Sequence, residues 1–79
     1  MYYVYHLQSK NYPDKYYVGL TNDVERRLAE HNAGKSIHTN KFRPWKLVSY
    51  TAFLDQSRAE KFEAYLKTSS GRAFAKKRL

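Results

Sequence analysis

The chain has 79 residues, a formal net charge of +8 and no cysteine. A chain of this length forms one domain, residues 1–79, whose core is too small to enclose a deep substrate cavity easily. The absence of cysteine excludes disulfides and a cysteine-based zinc site, and no apolar run has the length of a signal peptide or membrane segment. We therefore expect a soluble cytoplasmic protein without a membrane partner, whose chemistry lies on an open face.

Two strands and a helix are predicted in the first half of the chain. Tyr2–Gln8 and Lys15–Leu20 are rich in β-forming residues, and the turn residues between them favour an antiparallel hairpin. Asn22 is a candidate N-cap in a capping box, which predicts a helix over Asp23–Asn32. Gly34 is the expected stop signal of this helix.

A basic loop, a third strand and a second helix follow. Lys35–Pro44 is the loop and Trp45–Phe53 is the strand. Ser57 and Glu60 form a second candidate capping box, and Gly71 is expected to break the helix that begins there. The predicted order is β-β-α-β-α with a short C-terminal helix, an α+β fold of the sandwich type.

Positive charge is concentrated in two segments. Residues 35–46 and residues 71–79 each carry a net charge of +4. Such localised charge on a small domain is typical of a protein that binds a polyanion, although a basic tail can also serve solubility alone. We expect five of these residues to contact a nucleic-acid backbone without reading bases: Lys35, Lys41, Arg43, Arg72 and Lys76.

One acidic residue falls on the predicted buried face of the second helix. Positions 59, 62, 63 and 66 share a helical face, and three of them are the apolar Ala59, Phe62 and Leu66. The fourth is Glu63, and burying a carboxylate without a partner costs on the order of several kcal/mol. A divalent metal ion beside a phosphate is the expected partner. The alternative is an exposed ion pair between Glu63 and Lys67. The position of Glu63 in the apolar stripe argues against this alternative.

Four other side chains can converge with this glutamate on one surface. Tyr5 and Tyr17 are odd-numbered positions on consecutive strands, so they share a sheet face if odd residues pair with odd ones, a register that the sequence leaves open. Gly19 would then lie on the same face and leave room for a bulky group. Arg27 and His31 are one turn apart on the first helix, beside its inner stripe.

Each of these residues also has a purely structural interpretation. The chain contains eight tyrosines, most of which must serve sheet packing. Arg27 could be a solvated helix charge or a partner of Glu30. His31 lies near the end of its helix, where a charged imidazole would interact favourably with the helix dipole.

Several segments together resemble a known family. Tyr3-Val4-Tyr5 and Tyr17-Val18-Gly19 resemble the paired tripeptides that name the GIY-YIG nucleases. The segment 21–32 is similar to the arginine-bearing helix of that family. Phe62-Glu63, followed by Leu66-Lys67, is similar to its metal-binding glutamate segment, and residues 70–77 resemble the end of small stand-alone members. The resemblance covers essentially the whole chain.

Two positions depart from the family pattern. Tyr3 stands where the first tripeptide of the family name has glycine, a tolerable change because Tyr5 carries the proposed role. Leu20 stands where some repair nucleases of the family have a lysine, so a contribution from that lysine is missing here.

The resemblance implies a three-stranded antiparallel sheet flanked by helices, and hydrolysis of phosphodiester bonds with one divalent cation, Mg²⁺ or Mn²⁺. By analogy, Glu63 ligates the metal ion and Arg27 holds a phosphate oxygen. Tyr5 takes the proton of the attacking water, directly or through a relay, and Tyr17 orients water or phosphate. A tyrosine pKa of about 10 is too high for this role, so neighbouring charges must favour the phenolate. His31 is the alternative proton acceptor.

Three functions are therefore open at this point. The first is a metal-dependent endonuclease, with DNA as the expected substrate and repair or recombination as the expected setting, while RNA stays open. The second is a nucleic-acid-binding module that has lost the chemistry, and the third is a small basic interaction protein. We expect a monomer or a weak homodimer.

Overall fold

A computed structural model describes all 79 residues. Three strands form one antiparallel sheet: β1 (Tyr2–Ser9), β2 (Tyr16–Thr21) and β3 (Trp45–Phe53). The strand order is β2-β1-β3, so β1 is central and pairs along both of its edges. The prediction of a three-stranded antiparallel sheet is confirmed, and the hairpin strands shift by a single residue at some of their ends.

Three helices complete the fold. They are α1 (Val24–Asn32), α2 (Gln56–Leu66) and α3 (Ser69–Arg78), and a short 3₁₀ turn, Asn40–Phe42, precedes β3. The element order is therefore β-β-α-β-α-α, which confirms the predicted α+β fold with a C-terminal helix. None of the three helices combines the length and the apolar character needed to cross a membrane.

The predicted N-caps of the first two helices are wrong. Asp23 caps α1, because its carboxylate accepts a hydrogen bond from the Arg26 backbone N–H at 3.1 Å. The neighbouring Asn22 side chain accepts instead from the Arg26 guanidinium. Asp55 caps α2 through the Ser57 N–H at 3.0 Å. In both cases an aspartate with extended backbone geometry takes the role expected of its neighbours.

The role expected for Gly71 is also wrong. α2 ends at Leu66, and Gly71 lies inside α3 rather than after α2. A Cβ atom at Gly71 would overlap the Tyr65 carbonyl oxygen, so the missing side chain lets the first turn of α3 approach the end of α2. Thr68, between the two helices, caps α3 by accepting from the Gly71 N–H.

The helices cover opposite faces of the sheet. α1 packs over the face that carries Tyr5 and Leu7, whereas α2 and α3 pack over the face that carries Val4. Ala59 and Leu66 are buried in the second layer with Phe62 beside them, which confirms the apolar stripe predicted for α2.

Candidate active site

The hairpin register brings the two tyrosines to one face of the sheet. Tyr5 pairs with Gly19 and Leu7 pairs with Tyr17, so odd residues face odd residues. The two tyrosine rings are diagonal neighbours with centroids 6.2 Å apart. The space at Gly19 is filled by Tyr5 itself, since a Cβ atom on Gly19 would overlap the phenol ring and hydroxyl.

His31 connects this sheet face to α1. Its side chain is completely buried, and its Nε2 atom lies 2.9 Å from the Tyr5 hydroxyl oxygen. The Nδ1 atom lies 2.6 Å from Oγ1 of Thr39, and the ring centroid lies 5.1 Å from that of Tyr17. Because each hydroxyl can donate or accept, both contacts can form in either neutral tautomer of the imidazole. The tyrosine, the histidine and the threonine therefore form a continuous buried hydrogen-bonded chain.

Burial keeps the imidazole neutral. Desolvation lowers the pKa of His31, and the positive charge of Arg27 lowers it further, against a smaller opposing effect of Glu30. One structural interpretation of His31 was that its positive charge interacts favourably with the helix dipole. A neutral imidazole carries no such charge, so it does not provide this interaction. It does provide a nitrogen able to accept a proton.

The phenol of Tyr5 is harder to ionise than an exposed tyrosine. Burial raises the pKa of Tyr5 to about 12, and the hydrogen-bonding guanidinium of Arg27 offsets only part of this effect. Negative charge on Tyr17 or Glu63 raises it further. Arg27 favours the phenolate, as expected, but desolvation outweighs this effect, so the protein's own side chains do not bring the pKa of Tyr5 down to neutral pH. Glu63 lies on α2, which packs on the opposite sheet face, and its charge is near enough to raise the Tyr5 pKa slightly.

Arg27 lies between an acidic residue and the phenol. Its Nη1 atom donates to the Glu30 carboxylate at 2.9 Å, and both side chains are about one-third exposed, at 32% each. The ion pair with Glu30, proposed as an alternative to a catalytic role, is therefore present, and the charge of Arg27 also lowers the pKa of Tyr5. A guanidinium has five N–H donors, so the pair with Glu30 leaves others for a phosphate oxygen.

Glu63 is less buried than its place in the apolar stripe predicts. Its side chain is 24% exposed, and Lys67 Nζ donates to its Oε2 atom at 3.2 Å. The argument against this ion pair is therefore wrong: the carboxylate lies at the margin of the stripe, where a lysine one turn away can reach it. No group of three or more histidine, cysteine or acidic side chains could enclose a metal ion.

The single carboxylate nonetheless suits one kind of cation site. Mg²⁺ is often bound by one or two carboxylates together with water and substrate phosphate oxygens. Glu63 supplies such a carboxylate, and the side chain of Lys67 that now pairs with it is 51% exposed and can move away. The donor set therefore fits a hard divalent cation shared with a phosphate, and it does not fit a cation held by protein ligands alone.

The predicted nucleic-acid-binding residues are all exposed, but they lie in two layers. Phe42, next to Lys41, packs with the Tyr5 layer, whereas Ala75, next to Lys76, packs with the opposite layer. The basic residues therefore flank the sheet on both sides rather than forming one patch around Tyr5. The exposed set comprises Lys35, Lys41, Arg43, Arg72 and Lys76.

Three residues that support the site were not predicted from the sequence. Thr39 holds His31, and the Trp45 indole N–H donates to the Thr39 carbonyl oxygen at 2.9 Å. The side chain of Asn32 pairs with both backbone polar groups of Trp45, which ties the end of α1 to β3. No local pattern could reveal these contacts, because each depends on the tertiary fold.

Comparisons with known proteins agree with this arrangement. The family model described as the GIY-YIG catalytic domain matches residues 1–78. UPF0213 protein SH2523 of Staphylococcus haemolyticus is 41% identical over 69 residues, which are 86% of this chain and 82% of the relative. The solution structure of UPF0213 protein BH0048 from Bacillus halodurans is similar with a TM-score of 0.57 and 35% identity, covering 96% of this chain and 81% of that one.

Two further relatives share only part of their length with this chain. UPF0213 protein lwe0147 of Listeria welshimeri is 45% identical over 58 residues, 72% of this chain and 64% of the relative, so the chain spans slightly less than two thirds of that protein. The structure-specific endonuclease subunit SLX1 of Scheffersomyces stipitis is 43% identical over 51 residues, 57% of this chain and 15% of the relative.

Proposed function

The chain belongs to the GIY-YIG family of nucleases, and on that premise we propose that it is an endonuclease that hydrolyses phosphodiester bonds in DNA with one divalent cation. The observation that carries the proposal is the buried Tyr5–His31 contact of 2.9 Å beside Arg27, with the charge of Glu63 within range of the phenol. A role in repair or recombination and a cytoplasmic location stay predictions.

Proton transfer is the first task of the site. In the proposed mechanism a water molecule attacks phosphorus and gives a proton to the Tyr5 oxygen, while the Tyr5 hydroxyl proton passes to His31 Nε2. This relay removes the need for a stable phenolate, which the pKa of about 12 disfavours. His31 is suited to accept because its lowered pKa keeps it neutral in the resting site. Tyr17, whose ring lies beside both groups, orients the water or the phosphate.

Charge on the phosphate is the second task. Arg27 lies at the surface end of the site, one-third exposed, where its free N–H groups can donate to a non-bridging oxygen. Its pair with Glu30 at 2.9 Å restricts the positions that the guanidinium can adopt. Lysine could supply the charge but not this planar arrangement of donors.

The third task is stabilisation of the leaving oxygen. Glu63 would hold Mg²⁺ or Mn²⁺ together with water and the phosphate, which requires Lys67 to release the carboxylate. A bound divalent cation supplies charge neutralisation at the phosphate and at the leaving oxygen.

A binding module without catalysis is the second candidate. Two observations favour it. The Glu63 carboxylate is already paired with Lys67, and the raised pKa of Tyr5 keeps its phenol protonated. Both candidates bind nucleic acid with a steep salt dependence. Only the first cleaves it.

Cleavage of a supercoiled plasmid separates the two candidates. We expect nicking by the wild-type protein in Mg²⁺ or Mn²⁺ and none in EDTA. The variant Glu63→Gln should lose cleavage, while Glu60→Gln, an exposed carboxylate on the same helix, should keep it. Retention of activity by Glu63→Gln would refute the metal-site assignment, and salt-dependent binding without any cleavage would favour the binding module.

A further inference from the structure

A concave surface lies on the sheet face opposite Tyr5. It is a groove of about 1020 Å³ between the even-numbered side of the hairpin and the end of the helical layer. His6 and Val18, which pair across β1 and β2, form part of its floor. Leu66 and Ala75 contribute apolar wall from α2 and α3. The groove has the size range of a small-molecule or nucleotide site.

The groove is predominantly cationic. Four of its lining residues are lysine or arginine and one is acidic, Asp14. Arg72 and Lys76 lie one turn apart on α3, both exposed, and neither forms an ion pair with any acidic side chain. Lys67 also lines the groove, so the groove adjoins the Glu63 side of the candidate active site. Phosphate is the ligand group that such unpaired, closely spaced cations favour.

The floor of the groove carries a polar group that the fold leaves unsatisfied. His6 is only 7% exposed, and its Nδ1 atom has no hydrogen-bond partner. The ring of Tyr16 lies 5.1 Å from the His6 ring and is half exposed, at 53%. Tyr16 is therefore a flat surface on which a base can stack, next to a histidine that lacks a partner.

We propose that this groove binds a nucleotide, with its phosphate at Arg72 and Lys76, its base against Tyr16, and a polar group of the ligand at His6. The nucleotide is either free or part of the strand that continues past the candidate active site, since both present the same chemistry. The inference rests on the proposed function only in taking the ligand to be nucleic-acid material. Neither Tyr5 nor His31 lines the groove, but Tyr17 does, so the groove borders the candidate active site.

Binding in EDTA tests the groove without any cleavage step. The probes are adenosine 5′-monophosphate and a strand of four deoxyadenosine nucleotides, titrated into the isotope-labelled protein while the His6 and His31 imidazole signals are followed. The variant Arg72→Gln/Lys76→Gln removes the proposed phosphate contacts. Lys77→Gln/Arg78→Gln is the matched control, because it makes the same charge change on the same helix at residues that do not line the groove.

The expected result is saturable binding of at least one probe that shifts the His6 signals and leaves those of His31 in place. The groove variant should bind about tenfold more weakly than the control variant at low salt. Tyr16→Leu should weaken binding by about fivefold or more, as loss of base stacking does. If the mononucleotide binds, a free nucleotide is sufficient to occupy the groove. If the four-nucleotide strand binds and the mononucleotide does not, the ligand is part of the substrate strand.

Three results would overturn the inference: no saturable binding of either probe, equal affinities of the two double variants, or shifts at His31 instead of His6. Failure of the proposed function would look different. A wild-type protein that does not cleave plasmid, but shows the affinity difference between the two double variants, has the groove without the nuclease activity.

Discussion

The fit of Tyr5 against Gly19 gives the sharpest prediction about stability. In Gly19→Ala the added methyl group would occupy the position of the Tyr5 ring and hydroxyl. Overpacking of this kind costs about 1–3 kcal/mol. Displacing the hydroxyl also leaves the buried Nε2 atom of His31 without its partner at 2.9 Å, a further cost of about 1–3 kcal/mol. We therefore expect a loss of about 2–6 kcal/mol from a stability that is about 5–15 kcal/mol in ordinary domains.

Urea unfolding followed by circular dichroism measures this loss, and a second background identifies its cause. In Tyr5→Leu the overlapping ring atoms are absent, so the same alanine should be neutral or stabilising by about 0.5–1 kcal/mol, because it replaces a strand glycine. Equal costs of Gly19→Ala in both backgrounds would refute the reasoning. So would a cost below about 0.5 kcal/mol in the wild-type background.

Three further predictions concern the buried chain and the phosphate contact. His31 has a lowered pKa in the fold, so its contribution to stability is complete above the unfolded pKa of about 6.5 and is lost as pH falls below it. Between pH 7 and pH 5 the free energy of unfolding should therefore fall more steeply in wild type than in His31→Gln, by up to about 1.4 kcal/mol per pH unit. Parallel pH profiles of the two proteins would contradict the buried neutral state of His31. Thr39→Val should lower kcat about tenfold at unchanged KM while Thr39→Ser, which keeps the hydroxyl, stays near wild type; equal activities would show that the hydroxyl does not position the imidazole. Arg27→Lys should lower the single-turnover cleavage rate by about 100-fold while weakening DNA binding by less than about threefold. Losses of the same size in filter binding and in cleavage would contradict this, because they would mean that Arg27 contacts the phosphate as strongly in the ground state as in the transition state.

Much of the fold follows from local sequence patterns. β3 was predicted with its observed bounds, Trp45–Phe53, because turn residues and a basic loop delimit a run of β-forming residues. The apolar stripe of α2 was predicted because its period is local. Helix starts were less predictable, since Asn22 and Asp23 are both good caps and only the backbone geometry chooses between them.

The candidate site was predictable as a set of residue types but not as an electrostatic environment. Tyr5, Arg27 and His31 could be placed near one another from helix and strand periodicity combined with the family resemblance. The raised pKa of Tyr5 could not be predicted from the sequence, because it depends on how completely the fold removes the phenol from water. The contact of Thr39 with His31 likewise joins a loop to a helix through the tertiary fold.

The exposure of Glu63 shows the limit of helical periodicity. A stripe position predicts the direction in which a side chain leaves the helix, but not how far the packed layer extends over it. In the structure the layer ends beside Glu63, and Lys67 reaches the carboxylate from one turn away.

The single-turnover rate of plasmid cleavage by Tyr5→Phe tests the central claim most directly. Removing the hydroxyl keeps the ring in its place and eliminates the proton path to His31, so the rate should fall by about 100-fold or more. Tyr50→Phe is the matched control, because Tyr50 pairs with Tyr5 across the sheet and is exposed. It should cleave at the wild-type rate. A Tyr5→Phe protein that folds normally and cleaves as fast as this control would contradict the account.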